Sequence, residues 1–473
     1  MPHLQRTIGL SSATTIVIGT IIGSTIFMKP ATMAGQLGSP IFLLAVWLVA
    51  GVISIFGAMS FAELGTMFPE TGGQYVYLRK AYGDFIAYLY GWGSIAVINT
   101  AAIAAIAFVC AEYAAELVHL PRFNGHTENS IVLHIPMIGN ILPLQNFGVK
   151  MLAIVIIAVL SFVNYISVRL GNGVQFVSTV LKALALVILV LGILFSGTGS
   201  TQNFVTNSAI FHLSGWSLFA AFMAATTGAF ASYDGWNNLN MVAGEIKDPN
   251  RNITRSLLFG VLACIIIYLL ITLAYMYVLP IDEMSRSSLV ASDATAKVYG
   301  SAGGMIIAIL IVVSAFGATS VNLLANARVV FAMADAKSFF PWTGKIHSRF
   351  QTPGNSVLVL GIWSSILVIS GSFDILADMF IFVSWIFYGL VVFGVFILRR
   401  KMPKAERPYK VAGYPVVPAV FTLFTAFYLV TTVYNDINNY LGGKEPFINS
   451  ALGILLTCIG IPLFFYFRTK NKN

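Results

Sequence analysis

The chain is 473 residues long, and 58% of it is hydrophobic against 10% charged, where soluble domains run at roughly 45–50% and about 25%. A water-soluble fold is therefore excluded, and at about 20 residues per crossing the length suits a polytopic bundle rather than one or two anchors. The formal net charge of +9 would suggest nucleic acid in a soluble protein; here its placement records orientation in a bilayer, and no nucleic-acid partner is read from it.

In chain order, apolar stretches centre near residues 18, 50, 100, 160, 186, 225, 268, 315, 363, 388, 424 and 456, each bounded by charge, Gly or Pro. They predict twelve crossings. A closed barrel, the other permitted spanning form, would show short alternating segments, whereas a run such as Leu257 to Val278 is continuously apolar. The fold class is thus an all-α polytopic membrane protein. The first apolar run has no small-residue cleavage site after it, so it reads as a retained helix rather than a signal peptide.

Charge sorts the loops. Segments on the N-terminal side carry 20 of the 27 Lys and Arg residues, and the opposite side carries six, including Lys29, Arg122 and Lys150. By the positive-inside rule both termini are cytoplasmic, in a plasma or inner membrane. Cys110, Cys264 and Cys458 each sit in a separate apolar run and read as packing residues. The outer segment 120–146 holds His126 and His134, read as solvated loop histidines rather than metal ligands. The inner segment 333–350 reads as a structured loop holding Asp335, Lys337, Lys345 and His347.

Two crossings are poor continuous helices. The first contains Gly19-Thr20-Ile21-Ile22-Gly23-Ser24-Thr25-Ile26-Phe27, and the sixth contains Phe230-Ala231-Ser232-Tyr233-Asp234-Gly235-Trp236. Unwound backbone at membrane depth is tolerated where it lines a cavity, and paired interruptions in two halves of a chain point to a transporter's binding site. Restarting after Gly23, the first helix would offer N–H groups at Ser24, Thr25 and Ile26 to an anion. Carbonyls at Ile21, Ala231 and Ser232 would favour a cation. The two together suit a zwitterion; close helix packing through small residues is the other reading of either segment alone.

Charged residues inside the crossings sharpen this. Lys182 lies about 12 Å into the fifth crossing at 1.5 Å per residue, too deep to snorkel easily, so it needs a buried partner. Gln175, Ser178, Thr179 and Lys182 form a polar stripe at i, i+3, i+4 and i+7 that should face the bundle interior. The lysine either donates to carbonyls of the broken helices or stands for a coupling cation. Asp234, the one mid-membrane carboxylate by this reading, would cost roughly 3 kcal/mol if charged and facing lipid. It binds a substrate ammonium or caps a half-helix. Asn322 and Asn326, four apart on the eighth crossing, either face the same cavity or join helices.

These segments carry a resemblance. Val17-Ile18-Gly19-Thr20-Ile21-Ile22-Gly23-Ser24, Ala62-Glu63-Leu64-Gly65-Thr66-Met67-Phe68-Pro69, Tyr233-Asp234-Gly235-Trp236, Glu245-Ile246-Lys247-Asp248-Pro249 and Arg407-Pro408-Tyr409-Lys410 together resemble the amino acid–polyamine–organocation superfamily. Within it the L-type amino acid transporter group is nearest, in particular bacterial serine/threonine and alanine/serine/cysteine exchangers. The resemblance implies two inverted five-helix repeats, residues 1–200 and 201–400, with two further helices and a cytoplasmic C-terminus in 401–473. It implies a substrate site formed by Ile21, Ile22, Gly23, Ser24, Thr25, Phe230, Ala231, Ser232 and Asp234. Lys182, Tyr233 and Asn322 would have coupling or conformational roles, and Lys182 would stand where sodium-driven relatives hold an ion.

The implied activity is sodium-independent exchange of small neutral amino acids (Ser, Thr, Ala, Cys) by alternating access. Proton-coupled uptake, extending to cationic amino acids, is the alternative. Neither catalytic residues nor a cofactor or metal is expected, and the chain is not read as an enzyme. Thr25 stands where the family usually has Gly and would narrow the cavity. Ala231 stands where animal members often place an aromatic gate, a role Phe230 would then take. With no outer-loop cysteine after the third crossing, no disulfide-linked heavy chain is expected; the partners are the amino acid and the lipid bilayer.

Overall fold

The protein, seen in a computed structural model, is described over residues 6–69, 72–166, 181–209, 213–350 and 352–470. The apolar runs become helices whose ends follow local chemistry. The first interrupted crossing is α1 (Leu10–Ile21) and α2 (Lys29–Leu37), and Gly38 closes α2 in the left-handed conformation at φ 59°, which glycine adopts without a Cβ penalty. Pro40 opens α3 (Pro40–Met67), where a missing N–H is harmless. After α4 (Gln74–Tyr82), α5 (Asp84–Gly93) runs through a π-turn into α6 (Asn99–Leu117). The outer segment contributes α7 (Gly125–Glu128) and a hairpin, β1 (Leu133–Ile135) with β2 (Gly139–Ile141). His134 Nδ1 lies 2.8 Å from Asn140 Oδ1 in that hairpin.

Next come α8 (Phe147–Ile166) and α9 (Leu181–Gly192). The second interrupted crossing is α10 (Gly215–Tyr233) followed by the 3₁₀ segment Trp236–Glu245. The chain continues as α11 (Pro249–Val278), α12 (Ile281–Arg286), α13 (Val290–Asp335), α14 (Gly354–Ser370), α15 (Phe373–Lys401), α16 (Val416–Leu441), α17 (Asn449–Cys458) and α18 (Gly460–Lys470). Each predicted centre falls in a helix. Among the described residues, eight helical segments are long and apolar enough to cross a membrane. The polar stripe residues Gln175, Ser178 and Thr179 lie outside the described residues.

Helices sort into two packed groups. In one, α3 lies against α10 and α11, and α1 against α11; in the other, α6 lies against α8, α13 and α14. Helix α15 touches both, packing on α3 and α10 as well as on α6. The segment before α1 and the end of the 3₁₀ segment are tied through the main chain. Thr7 and Ile8 donate to the Glu245 carbonyl at 3.0 Å each, and Lys247 N–H donates to the Ile8 carbonyl at 2.8 Å.

Lys29 corrects one sequence reading. Placed there among the outer loop charges, it is 2% exposed inside α2, where its ammonium donates to Asp374 at 2.6 Å and Asp378 at 2.7 Å. The aspartates are one turn apart on α15, and Thr32 donates to Asp374 from the same side of α2. No carboxylate lies near it in sequence, and the counter-charge that burying an ammonium requires comes from α15.

At the opposite end of α15, the acidic residue of one sequence motif meets the arginine of another. Glu63, 1% exposed on α3, accepts from Arg399 Nε at 2.9 Å and Nη2 at 2.6 Å, and from Val411 N–H at 2.8 Å. Arg407 Nε stands 3.5 Å away. A forked arginine–carboxylate pair of this kind fixes orientation as well as distance. Glu63→Gln would leave two guanidiniums facing each other without their counter-charge. We expect a loss of about 3 kcal/mol, read as a lower thermal midpoint in detergent; an unchanged midpoint would mean that the pair does not anchor α3 to α15.

Candidate functional site

The interruption in the first crossing is local and clean. Helix α1 ends at Ile21, Ile22 is extended at φ −69° and ψ 92°, and the chain tightens into a 3₁₀ turn over Thr25–Phe27 before α2 begins. The bonds closing that turn are Phe27 N–H to Ser24 carbonyl and Met28 N–H to Thr25 carbonyl. The N–H groups of Ser24, Thr25 and Ile26 therefore precede the first of them, as at any helix start. The Ser24 hydroxyl is buried with no partner among the described residues, and such an orphan costs about 1–3 kcal/mol unless something meets it. A Cβ on Gly23 would lie 3.7 Å from Thr25 Oγ1, 3.8 Å from the Ile21 carbonyl and 3.9 Å from Thr25 N. Glycine is thus not forced there by crowding; it leaves room between donors and acceptors.

The second interruption is built differently. Asp234 is extended at ψ 147° and Gly235 takes φ +113° before the 3₁₀ segment starts. A Cβ on Gly235 would meet the Thr20 carbonyl oxygen at 2.5 Å, so positive φ and close approach both demand glycine. The Thr20 hydroxyl lies 3.0 Å from the Gly235 carbonyl and equally near the Ile16 and Val17 carbonyls of its own helix, so its one hydrogen can reach across to the second break or back into α1. Trp236 is wedged edge-on against Phe61, ring centroids 4.7 Å apart, which holds the second half-helix against α3.

Carbonyls freed by the breaks converge on a few side chains. Tyr268, fully buried on α11, has its hydroxyl 2.9 Å from the Ile21 carbonyl and 2.7 Å from that of Ser232. A phenol has one hydrogen, so it can donate to only one of the two at a time. Lys182 on α9 reaches the Ile22 carbonyl at 2.6 Å, giving the buried partner that its depth required. Tyr113 on α6 donates to the Phe27 carbonyl at 2.7 Å.

Asp234 accepts from the Tyr388 hydroxyl of α15 at 2.5 Å, and Asn237 Oδ1 lies 3.2 Å from the same hydroxyl. None of the ion pairs among the described residues involves Asp234. Ile21, Ile22, Gly23, Ser24, Thr25, Ala231, Ser232, Asp234 and Lys182 thus sit at the two breaks or on their carbonyls.

Three of the sequence candidates are turned elsewhere. The Phe230 ring stacks on Trp385 at 3.7 Å and meets Tyr428 edge-on, so it lies towards α15 and α16 rather than between the breaks. The Tyr233 hydroxyl donates to the Trp47 carbonyl on α3 at 3.1 Å. Asn322 gives its amide to the Ala318 carbonyl of its own helix. Sequence reasoning missed Tyr268, Tyr388, Asn237 and Tyr113; the usable signal was that a tyrosine inside an apolar run needs a partner for its hydroxyl. Among the described residues no group of three or more His, Cys, Asp or Glu side chains is arranged to hold a metal.

Known proteins are similar to this chain. The amino acid permease family model matches residues 8–459. The b(0,+)-type amino acid transporter 1 of Homo sapiens is 32% identical over 431 residues, 91% of this chain and 83% of that protein. The serine/threonine exchanger SteT of Bacillus subtilis (strain 168) is 30% identical over 474 residues, 99% of this chain and 98% of that one. The human cystine/glutamate transporter is 31% identical over 477 residues, 99% and 87% of the respective chains.

The clearest steric requirement at the site is Gly235. Gly235→Ala should push the second break away from Thr20 and abolish binding of any ligand spanning both breaks. Retained function would mean that this close approach is not needed, and a fluorescence-detected gel-filtration profile would separate that outcome from misfolding.

Proposed function

Because the chain belongs to the amino acid permease family, we propose that it is an amino acid exchanger in which twelve crossings form two inverted five-helix repeats followed by two further helices. Residues 1–200 and 201–400 make the repeats, and 401–473 the remainder. Alternation of the interrupted crossings, one opening each half, supports this division. It is a multi-pass membrane protein and not an enzyme. Both termini lie in the cytoplasm, a reading supported by the excess of Lys and Arg on that side.

The substrates are small neutral amino acids. One observation carries the zwitterion: the Ile21 and Ser232 carbonyls, from different helices, compete for the single hydroxyl hydrogen of Tyr268, while the Ser24 hydroxyl has no partner among the described residues. A zwitterion placed between the breaks would give its ammonium to the carbonyls of Ile21, Ala231 and Ser232. Its carboxylate would take the N–H groups of Ser24 and Thr25 and the Ser24 hydroxyl. Thr25 fills space beside Gly23 and limits the side chain to the size of serine, threonine, alanine or cysteine.

Lys182 holds the Ile22 carbonyl through its side-chain nitrogen, 2.6 Å away, where a metal cation would otherwise sit, so exchange is independent of sodium. Tyr233, anchored on α3, and Asn322, on the other helix group, transmit the rearrangement of the breaks. The carrier works without a disulfide-linked heavy chain. A second reading, transport of cationic amino acids, is favoured by Asp234, which has no cationic partner among the described ion pairs.

Uptake of labelled serine into proteoliposomes, competed by each common amino acid and run with and without internal serine, sodium and a proton gradient, tests these statements together. Small neutral competitors and a need for internal serine are expected. Uptake driven by the proton gradient alone would replace exchange by symport, and competition by arginine or lysine would establish the second reading. Lys182→Ala should lower exchange about tenfold or more, as the loss of a charged hydrogen bond worth about 1.5–3 kcal/mol implies. Thr25→Gly should let leucine and phenylalanine compete; if they compete no better than before, the threonine does not set the size limit.

A further inference from the structure

Tyr88 on α5 is 3% exposed, and its hydroxyl has no hydrogen-bond partner among the described residues. Buried phenols ordinarily have one. This one lines a cavity of about 630 Å³, far along the chain from either break, formed by α4, α5, α18 and the residues just past α13. Two guanidiniums, Arg79 and Arg468, line the same cavity.

The cavity's two guanidiniums can only donate, Tyr82 and Ser338 already give their hydroxyl hydrogens to the Leu390 and Ala336 carbonyls, and Asp84 is the one carboxylate in the wall. Arg79 uses Nε on Asp84, at 2.7 Å, which leaves its terminal nitrogens available and the one nearby carboxylate engaged. None of the ion pairs among the described residues involves Arg468, whose guanidinium lies 5.9 Å from the centroid of the Phe464 ring. A second cavity of about 590 Å³ adjoins at Arg79 and adds Lys80. An occupant that meets these guanidiniums would bring acceptor oxygens and negative charge.

The rest of the wall says what kind of anion. Phe85, Phe464 and Phe467 give the cavity apolar sides, and the neighbouring Phe465 and Tyr466 point outwards, 55% and 54% exposed. Exposed aromatics in the last turns of a spanning helix, followed by Arg468 and Lys470, mark the level of the lipid headgroups. Basic pockets at that level recognise acidic phospholipids.

We propose that this cavity is a binding site for the phosphate headgroup of an acidic phospholipid. The phosphate lies between Arg79 and Arg468 with the Tyr88 hydroxyl donating to it, and the glycerol and first methylenes lie on the phenylalanines. Such a lipid joins α5 and α18 to the end of α13, bracing the helix group built on α6 and α13 while the interrupted crossings rearrange.

Native mass spectrometry of the full chain, purified in the presence of phosphatidylglycerol, counts the lipid directly and does not depend on what the carrier transports. The wild type should retain one phosphatidylglycerol more than Arg79→Gln/Arg468→Gln. Each guanidinium removed should weaken retention about fivefold. Tyr88→Phe, which changes neither charge nor bulk, should weaken it as well and serves if the double variant fails to fold. In proteoliposomes, phosphatidylglycerol should accelerate serine exchange by the wild type and not by the double variant, whose rate in phosphatidylcholine alone should match the wild type. Equal retention by wild type and variants overturns the proposal. So does equal acceleration by inorganic phosphate in phosphatidylcholine vesicles, which would make the ligand a free anion rather than a lipid.

Discussion

A main chain that stops being helical inside hydrocarbon leaves carbonyls that water cannot reach, and the structure is organised around meeting them. Tyr268 serves Ile21 and Ser232, Lys182 serves Ile22, and Tyr113 serves Phe27. Those three side chains come from three helices, so the breaks can exist only when the surrounding bundle is assembled. Local sequence permits the interruption, through Gly23 and Gly235, while tertiary partners stabilise it. The supply is incomplete, because one hydroxyl hydrogen faces two carbonyls and the Ser24 hydroxyl has no partner among the described residues. On the function proposed above, a molecule that carries both an ammonium and a carboxylate would complete the set, so that satisfying the backbone and binding an amino acid would be the same problem.

The two breaks also differ in stiffness. At Gly235 the backbone is fixed by a positive φ, by contact with Thr20 and by the Trp236 wedge. At Gly23 the chain has room around it. The segment before α1 and the end of the 3₁₀ segment are held together where residues 7 and 8 meet residues 245 to 247, so movement of α1 carries the 3₁₀ segment with it. The second break is therefore the more constrained of the two and the first has the more room.

Much of this was legible in the sequence. Continuous apolar runs, their charged flanks and the glycines of the two interruptions located the helices and the breaks, because spanning segments must be apolar throughout and an interruption within one stands out. The depth of Lys182 required a buried partner, and the Ile22 carbonyl is it. What stayed hidden depends on helices far apart in the chain. Tyr268 and Tyr388 look like packing residues until the carbonyl or carboxylate opposite is known. Phe230 sits next to the break in sequence, but the helical turn rotates it onto Trp385. Lys29 looked like loop because its two aspartates lie some 350 residues later, at positions 374 and 378.

That ion triad constrains how the protein can drift. One ammonium answers two carboxylates, so exchanging an aspartate for a neutral residue leaves a matched pair, whereas losing the lysine first leaves two anions facing each other without a counter-charge. Lineages descending from this chain can therefore shed Asp374 or Asp378 singly, and Lys29 only after them, which gives substitutions at three distant positions an order in time.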